Sequence, residues 1–282
     1  MKERPLIQLI EEALDSDELE LPVFSKTVLE LQELMKEDNY GLSDVARIIE
    51  KDQALTSQTL KAANTAYYTG LQPAKTIKDA AVRLGAKSVI SMVTLTSQKQ
   101  LYHSQVKEFN QMMRALWNHA LGTATAARWL SINLGFQHVA EESLIAGLLH
   151  DIGKLILLKA IESLLLSETI SKETSLVLIY DIIDTFHTDH GERFMKILNM
   201  PETYCQVASR HHDPEVNAEN IILNIVRLSN LTCHKLGIGP KHSPELMLST
   251  TPESINLMAK DLLLAELQVE LEEKLGSLDK SL

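Results

Sequence analysis

From Leu6 to Leu275 the apolar residues of this chain recur at intervals of three and four, almost without interruption. That spacing lays them along one face of an α-helix, whereas a half-buried strand needs strict alternation. Leu6, Ile7, Leu9, Ile10, Ala13 and Leu14 form the first such stripe. Aromatic residues, which favour sheets, make up only 5% of the chain, while Leu, Ile and Ala are abundant. The pattern specifies an all-α fold.

The breaks divide the pattern. A helix is expected over about 25–35. Gly41-Leu42 interrupts it, and Ser43 is read as the next N-cap. Thr56 to Tyr68 reads as helix. Thr76 with Asp79 three residues on has the spacing of a capping box, and Gly85 is read as a left-handed stop before a helix from Ala86 through Val93. From Glu108 the helices lengthen. They are expected near 108–134, 140–150, 155–169, 174–185, 188–198, 202–212 and 218–236. Gly153 is taken to end the second of these, and Gly237, Gly239 and Pro240 the last. Pro252 suits the first position of a helix after Thr251, and Glu253 to Leu275 reads as one final leucine-rich helix. The organisation is then a helical extension over 1–20, a lobe of short helices over 21–107, a lobe of longer helices over 108–240, and a helical extension over 241–282. No fixed period recurs, which excludes a solenoid.

Composition narrows the function. With 45% hydrophobic residues in 282, the chain has ample material for a core and is not disordered. The formal net charge of -11 argues against nucleic acid, whose phosphates need clustered cations. Lys51, Lys61, Lys75, Lys78, Arg83 and Lys87 give a local positive excess that reads as a solvated face. The most apolar stretch, Leu144 to Leu166, is broken by His150, Asp151, Lys154, Lys159 and Glu162, so no membrane span is expected. The acids within the first apolar stretch exclude a signal peptide. Cys205 and Cys233 form no disulfide or zinc framework. A cytoplasmic protein is expected.

Histidine carries the chemistry. Ten are present, and several fall in a suggestive order: His119 in LWNHALGTA, His150-Asp151 in GLLHDIGK, His190 in FHTDHGERF, and His211-His212 in SRHHDP. Neighbours on a helix diverge by about 100°, so His150 and Asp151 can reach one ion between them. Their flanks, Ile145, Leu148, Leu149, Ile152 and Leu155, are apolar, and a buried imidazole–carboxylate pair needs a metal or a hydrogen-bonding partner. Taken singly each histidine has an ordinary explanation. His119 suits a core position, His211-His212 a surface turn, and His187 an exposed helix face. His103, His138, His234 and His242 carry no signal of their own.

Their order, together with LPVFSKTVLELQELM, LSDVARIIEKDQALTSQTLKAANTAYY, TIKDAAVRLGAKSV, ESLIAGLLHDIGKLIL and HTDHGERFMKILNMP, resembles the HD phosphohydrolase superfamily and, within it, the HDOD family. The resemblance runs over roughly residues 20–215 and more weakly to about 240. It implies an HD-domain-like helical fold, with an N-terminal helical lobe and a C-terminal HD-like lobe. It also implies a place in bacterial signalling. By position, His119, His150, Asp151, His190, His211 and His212 match the family's metal-binding residues. His187 stands where glycine is common. The last ligand, normally an aspartate, matches Asn230, preceded by Ser229. An amide is a poorer ligand than a carboxylate and removes one negative charge. The implied cofactor is one or two divalent transition ions (Fe, Mn, Zn, Ni or Co). Asp151 would bridge, with His119, His150 and Asn230 on one ion and His190, His211 and His212 on the other. Lys154 lies one turn beyond His150. It either pairs with a substrate phosphate, making it with Asp151 a catalytic candidate, or is a solvated helix-end lysine. Arg210 reads as solvated. The HD-related Gly-Tyr-Pro element is absent after His212, which argues against hydrolysis of cyclic di-GMP.

The expectation is a stand-alone HDOD signalling or output protein with a metal-binding site, acting through a protein partner or a small phosphorylated ligand. The alternative is a metal-dependent phosphohydrolase acting on a nucleotide or other phosphoester. The acidic last helix is expected to pack on its own chain, or on a second copy as a homodimer.

Overall fold

In the computed structural model, which describes residues 4–16, 25–37, 39–64 and 73–278, every regular element is a helix. The chain forms two compact units, one of Val23–Leu101 and one of Met1–Pro22 with Tyr102–Leu282.

The smaller unit contains α2 (Lys26–Leu34), α3 (Leu42–Ile49), α4 (Gln53–Ala63), α5 (Ile77–Leu84) and α6 (Ala86–Lys99). Val28, Leu31, Val45, Ile49, Ala80, Val89 and Ile90 fill its core. Thr76 and Asp79 form the expected reciprocal cap, each side chain accepting the other's backbone N–H at 3.0 and 2.9 Å. The cap of α3 is Gly41 rather than Ser43, because the Asp44 carboxylate reaches back to the Gly41 N–H at 3.0 Å. The end of α4 expected at Tyr68 lies outside the described residues. Lys51 pairs with Glu30 at 2.8 Å, so part of this unit's positive charge is neutralised locally.

The larger unit is built around α7 (Lys107–Asn133), which packs against α8 (Ala140–Leu149) and α12 (Ile221–Leu236). A second layer is α9 (Ile152–Leu166), α10 (Leu176–Ile197) and α11 (Glu202–Arg210). Both ends of the chain join this unit: α1 (Leu6–Leu14) lies on α9, and α14 (Asp261–Leu278) lies on α7. The expected final helix is two, α13 (Pro252–Asn256) and α14, broken where Met258 turns to φ 52°. The helices expected over 174–185 and 188–198 are one continuous α10, since nothing between them removes a hydrogen-bond donor or forces a turn.

Gly153 does not end a helix. It stands in the first turn of α9, where a Cβ would come within 1.8 Å of the His187 carbonyl oxygen on α10. Only glycine lets the two backbones approach that closely. Cys205 and Cys233 are buried free thiols. Among the described residues no helix is long and apolar enough to cross a membrane.

Candidate metal centre

Four helices of the larger unit bring their polar residues to one buried point, the Asp151 carboxylate between α8 and α9. His119 comes from the middle of α7 and His150 from the end of α8. His187 comes from α10, and His211 follows the last residue of α11. His119, His150, Asp151, His187 and His211 are all at most 6% exposed.

The four rings share one arrangement. Each turns Nδ1 to a backbone carbonyl: His119 to Ile238 at 2.9 Å, His150 to Gly147 at 2.7 Å, His187 to Asp184 at 2.9 Å and His211 to Ala208 at 3.0 Å. A carbonyl only accepts, so Nδ1 carries the proton and donates, and the neutral ring keeps its lone pair on Nε2. All four Nε2 atoms then face Asp151. His119 and His150 lie 3.7 and 3.5 Å from Oδ2, and His187 and His211 lie 3.4 and 3.3 Å from Oδ1. Burial pushes His119 below its ordinary pKa, His150 well below it and His187 down to about 4, so these rings are neutral near pH 7.

The result is a cluster of acceptors facing acceptors. Nε2 of His119 and of His150 and Oδ1 of Asp151 have no hydrogen-bond partner among the described residues. Buried lone pairs so arranged need a cation. Lys154 supplies one on the Oδ2 side, with Nζ 2.8 Å from Asp151 and 3.9 Å from Asp184. At 3% exposed it is not a solvated helix-end lysine. Burial pushes the Asp151 carboxyl up, but the Lys154 ammonium beside it outweighs this and holds it well below the usual carboxylate range.

Two sets of ligand atoms share Asp151: His119 and His150 with it, and His187, His211 and His212 with it. Imidazole nitrogen with carboxylate oxygen suits Zn, Fe, Mn, Co or Ni. A backbone carbonyl accepting from Nδ1 fixes the tautomer and orientation of a metal-ligating histidine. The residues present therefore fit the divalent ion expected.

The assignment on α10 differs from the sequence reading. His187, not His190, meets Asp151. His190 is three residues further round the helix, beside Asp15 and Arg193 under α1. The sequence held a signal for this: Ile179, Ile183, His187, Gly191 and Met195 follow one buried stripe at four-residue spacing, and His190 is off it. Asn230 is buried in α12 with its amide oxygen unpartnered. One turn on, His234 stacks on His119, with ring centres 5.2 Å apart and planes 9° apart. Burial takes His234 down to about 3. Sequence reasoning passed it over, although its i, i+4 spacing from Asn230 places both on one face.

The chain after α12 covers the His119 side. Ile238 supplies the carbonyl, and a Cβ on Gly239 (φ 116°) would lie 2.6 Å from His119 Cβ. Beside this strap is a cavity of about 380 Å³ lined by Lys154, Asp184 and Lys241 among apolar residues including Met112, Leu116 and Ile183. Lys241 pairs with Asp184 at 3.0 Å.

Comparison with known proteins agrees with the helical fold. The HDOD domain family model matches residues 21–214. An uncharacterized protein of Treponema pallidum (strain Nichols) is 26% identical over 219 residues, which are 76% of this chain and 42% of that protein. The chain thus spans less than half the length of that relative. An HDOD domain protein of unknown function from Geobacter sulfurreducens has a similar fold, with TM-score 0.75, 22% identity and 98% of both chains covered. So does a candidate metal-dependent phosphohydrolase from Shewanella amazonensis, at TM-score 0.63, 20% identity and 94% and 98% coverage. A candidate signal transduction protein from Marinobacter aquaeolei aligns at TM-score 0.68, 19% identity, covering 98% of this chain and 64% of that one. With the histidine–aspartate centre built on this helical scaffold and the family model covering most of its length, the chain belongs to the HDOD family.

Proposed function

We propose that this chain is a cytoplasmic signalling module that binds one or two divalent transition metals and acts through a protein partner or a small phosphorylated ligand. The observation that carries the metal is the common orientation of four imidazoles, Nδ1 to backbone carbonyl and Nε2 to Asp151. His119 and His150 would hold an ion on the Oδ2 side of Asp151, and His187, His211 and His212 one on the Oδ1 side. The metal when bound would supply Lewis acidity and a water of lowered pKa. Two features favour signalling over turnover. Asn230 stands where the family has a carboxylate, and the ligand set is buried except at His212. Exposed Ile255 of α13, Met258 in the turn after it and Leu262 of α14 support a protein partner or a second copy.

A second reading, metal-dependent phosphoester hydrolysis, is favoured by the cavity beside Lys154. There Lys154 and Lys241 would bind an anionic group, the apolar wall would take the rest of the ligand, and Asp151 would hold the reacting centre in place.

Elemental mass spectrometry of protein purified without chelator tests the main reading. One or two stoichiometric ions are expected. Well-folded protein that holds no metal and refuses added Mn, Fe and Zn would overturn it. Turnover of a nucleotide or phosphodiester by the loaded protein would shift the conclusion to the second reading.

A further inference from the structure

His211 and His212 sit just past the end of α11, where a helix leaves its last carbonyls without intrahelical partners. One side chain takes up the two carbonyls that bracket this pair. Arg227 of α12 donates from its terminal nitrogen to the Arg210 carbonyl at 3.1 Å and to the Asp213 carbonyl at 2.8 Å. Its Nε donates to Glu253 Oε1 of α13 at 2.7 Å. The arginine side chain is 11% exposed and the glutamate 3%. Both residues lie beyond the 21–214 match to the family model, and Glu253 belongs to the segment that the sequence marks as an extension.

A buried ion pair of this kind is a weak source of stability, because desolvation offsets most of its attraction. Its geometry does something more specific. A guanidinium is a rigid planar fork, so fixing one edge on Glu253 fixes where the other edge holds the two carbonyls. The cation also sits at the negative end of the α11 dipole. The backbone of 210–213 is thereby tied at both ends, and the rings between are aimed from it. His211 is further tied through Nδ1 to the Val207 and Ala208 carbonyls, whereas among the described residues no backbone carbonyl accepts from the His212 ring. Its ring lies 4.1 Å from that of His211 and 5.2 Å from that of His187, centre to centre.

We propose that Arg227, oriented by Glu253, is a positioning residue for the His211–His212 half of the centre, so that the C-terminal segment belongs to the site's construction. This rests on the metal reading for its purpose and on geometry alone for its existence. The consequence is one-sided: loosening Arg227 disturbs His211 and His212 and leaves His119 and His150 in place.

Two variants of the full chain separate the contributions. Arg227→Lys keeps the charge beside Glu253 and loses the fork. Glu253→Gln keeps an acceptor for Nε and loses the countercharge. Imidazole nitrogen–proton NMR spectra of the metal-free protein are read first, then Co²⁺ affinity and visible spectrum. Leu267→Ala, a core truncation in α14, serves as the control for lost stability. In Arg227→Lys the ring signals of His211 and His212 are expected to move, that of His150 to respond less through its edge contact with His211, and that of His119 to hold. Co²⁺ binding should weaken by about 10–100-fold, the range for outer-shell partners. Glu253→Gln should do the same to a smaller extent, and the control should do neither. Unmoved His211 and His212 signals in Arg227→Lys, or equal effects in the control, overturn the inference whatever the metal does. Should the rings move as stated in a protein that binds no Co²⁺, the inference stands and the metal reading falls.

Discussion

The two sides of the Asp151 carboxylate differ in how their charge is balanced. On the Oδ2 side His119, His150 and Lys154 are all within 3% of full burial, and Lys154 provides an internal cation at 2.8 Å. On the Oδ1 side His187, His211 and His212 converge on an oxygen that accepts no hydrogen bond among the described residues, and His212 is exposed. One oxygen is hydrogen-bonded to a cation of the chain itself, while the other has no such partner and faces the solvent-exposed His212. A single carboxylate thus faces a cation built into the chain and a place suited to one from solution. Metal exchange should therefore be faster on the Oδ1 side, and an ion entering the Oδ2 side must compete with Lys154.

The strongest way to break this comparison is to remove what both sides share. Asp151→Ala should abolish stoichiometric metal by elemental analysis. It should also lower the metal-free protein's stability by roughly 3–5 kcal/mol, because Lys154 is left buried with no carboxylate nearer than Asp184 at 3.9 Å. Adding Lys154→Met should recover much of the stability in urea unfolding and none of the metal. Full metal content in Asp151→Ala would show that the carboxylate is not the anchor.

The next effect in size is pH dependence. His187 has a folded pKa of about 4 against an unfolded value near 6.5. Between those values the unfolded chain binds the proton and the folded chain does not, so stability falls as pH falls. For this buried ring alone the loss is on the order of 3 kcal/mol by pH 4, with stability level above pH 6.5. Urea midpoints of the metal-free protein across pH 4–8 measure it. Stability that stays flat or rises on acidification through this window would mean that the rings are protonated in the fold.

The smallest comparison sharpens one position on α10. His187→Ala should weaken metal binding by at least about tenfold, while His190→Ala should leave it unchanged, both by chelator competition. The opposite ranking would return His190 to the centre.

Much of this was legible beforehand. The helical class followed from spacing, and the order of His119, His150-Asp151 and His211-His212 pointed to residues that the fold does bring together. What escaped had physical causes. A break placed between 185 and 188 cut the stripe running from Ile179 to Met195 and hid His187 within it. Gly153 reads as a helix end because a glycine's need for space looks the same in sequence as its need for freedom. The interruption at Met258 left no mark, since neither Gly nor Pro stands there. The roles of Arg227, Glu253 and the Ile238 carbonyl depend on contacts between residues far apart in the chain, which no local pattern encodes.

The contact at Gly153 has a mechanical consequence. Where α9 meets α10, backbone touches backbone, with no side chain between them to change rotamer and absorb a displacement. The separation of Asp151 and His187 is therefore set by two main chains pressed together. Any ligand or partner that opens this centre has to carry α9 and α10 as one piece.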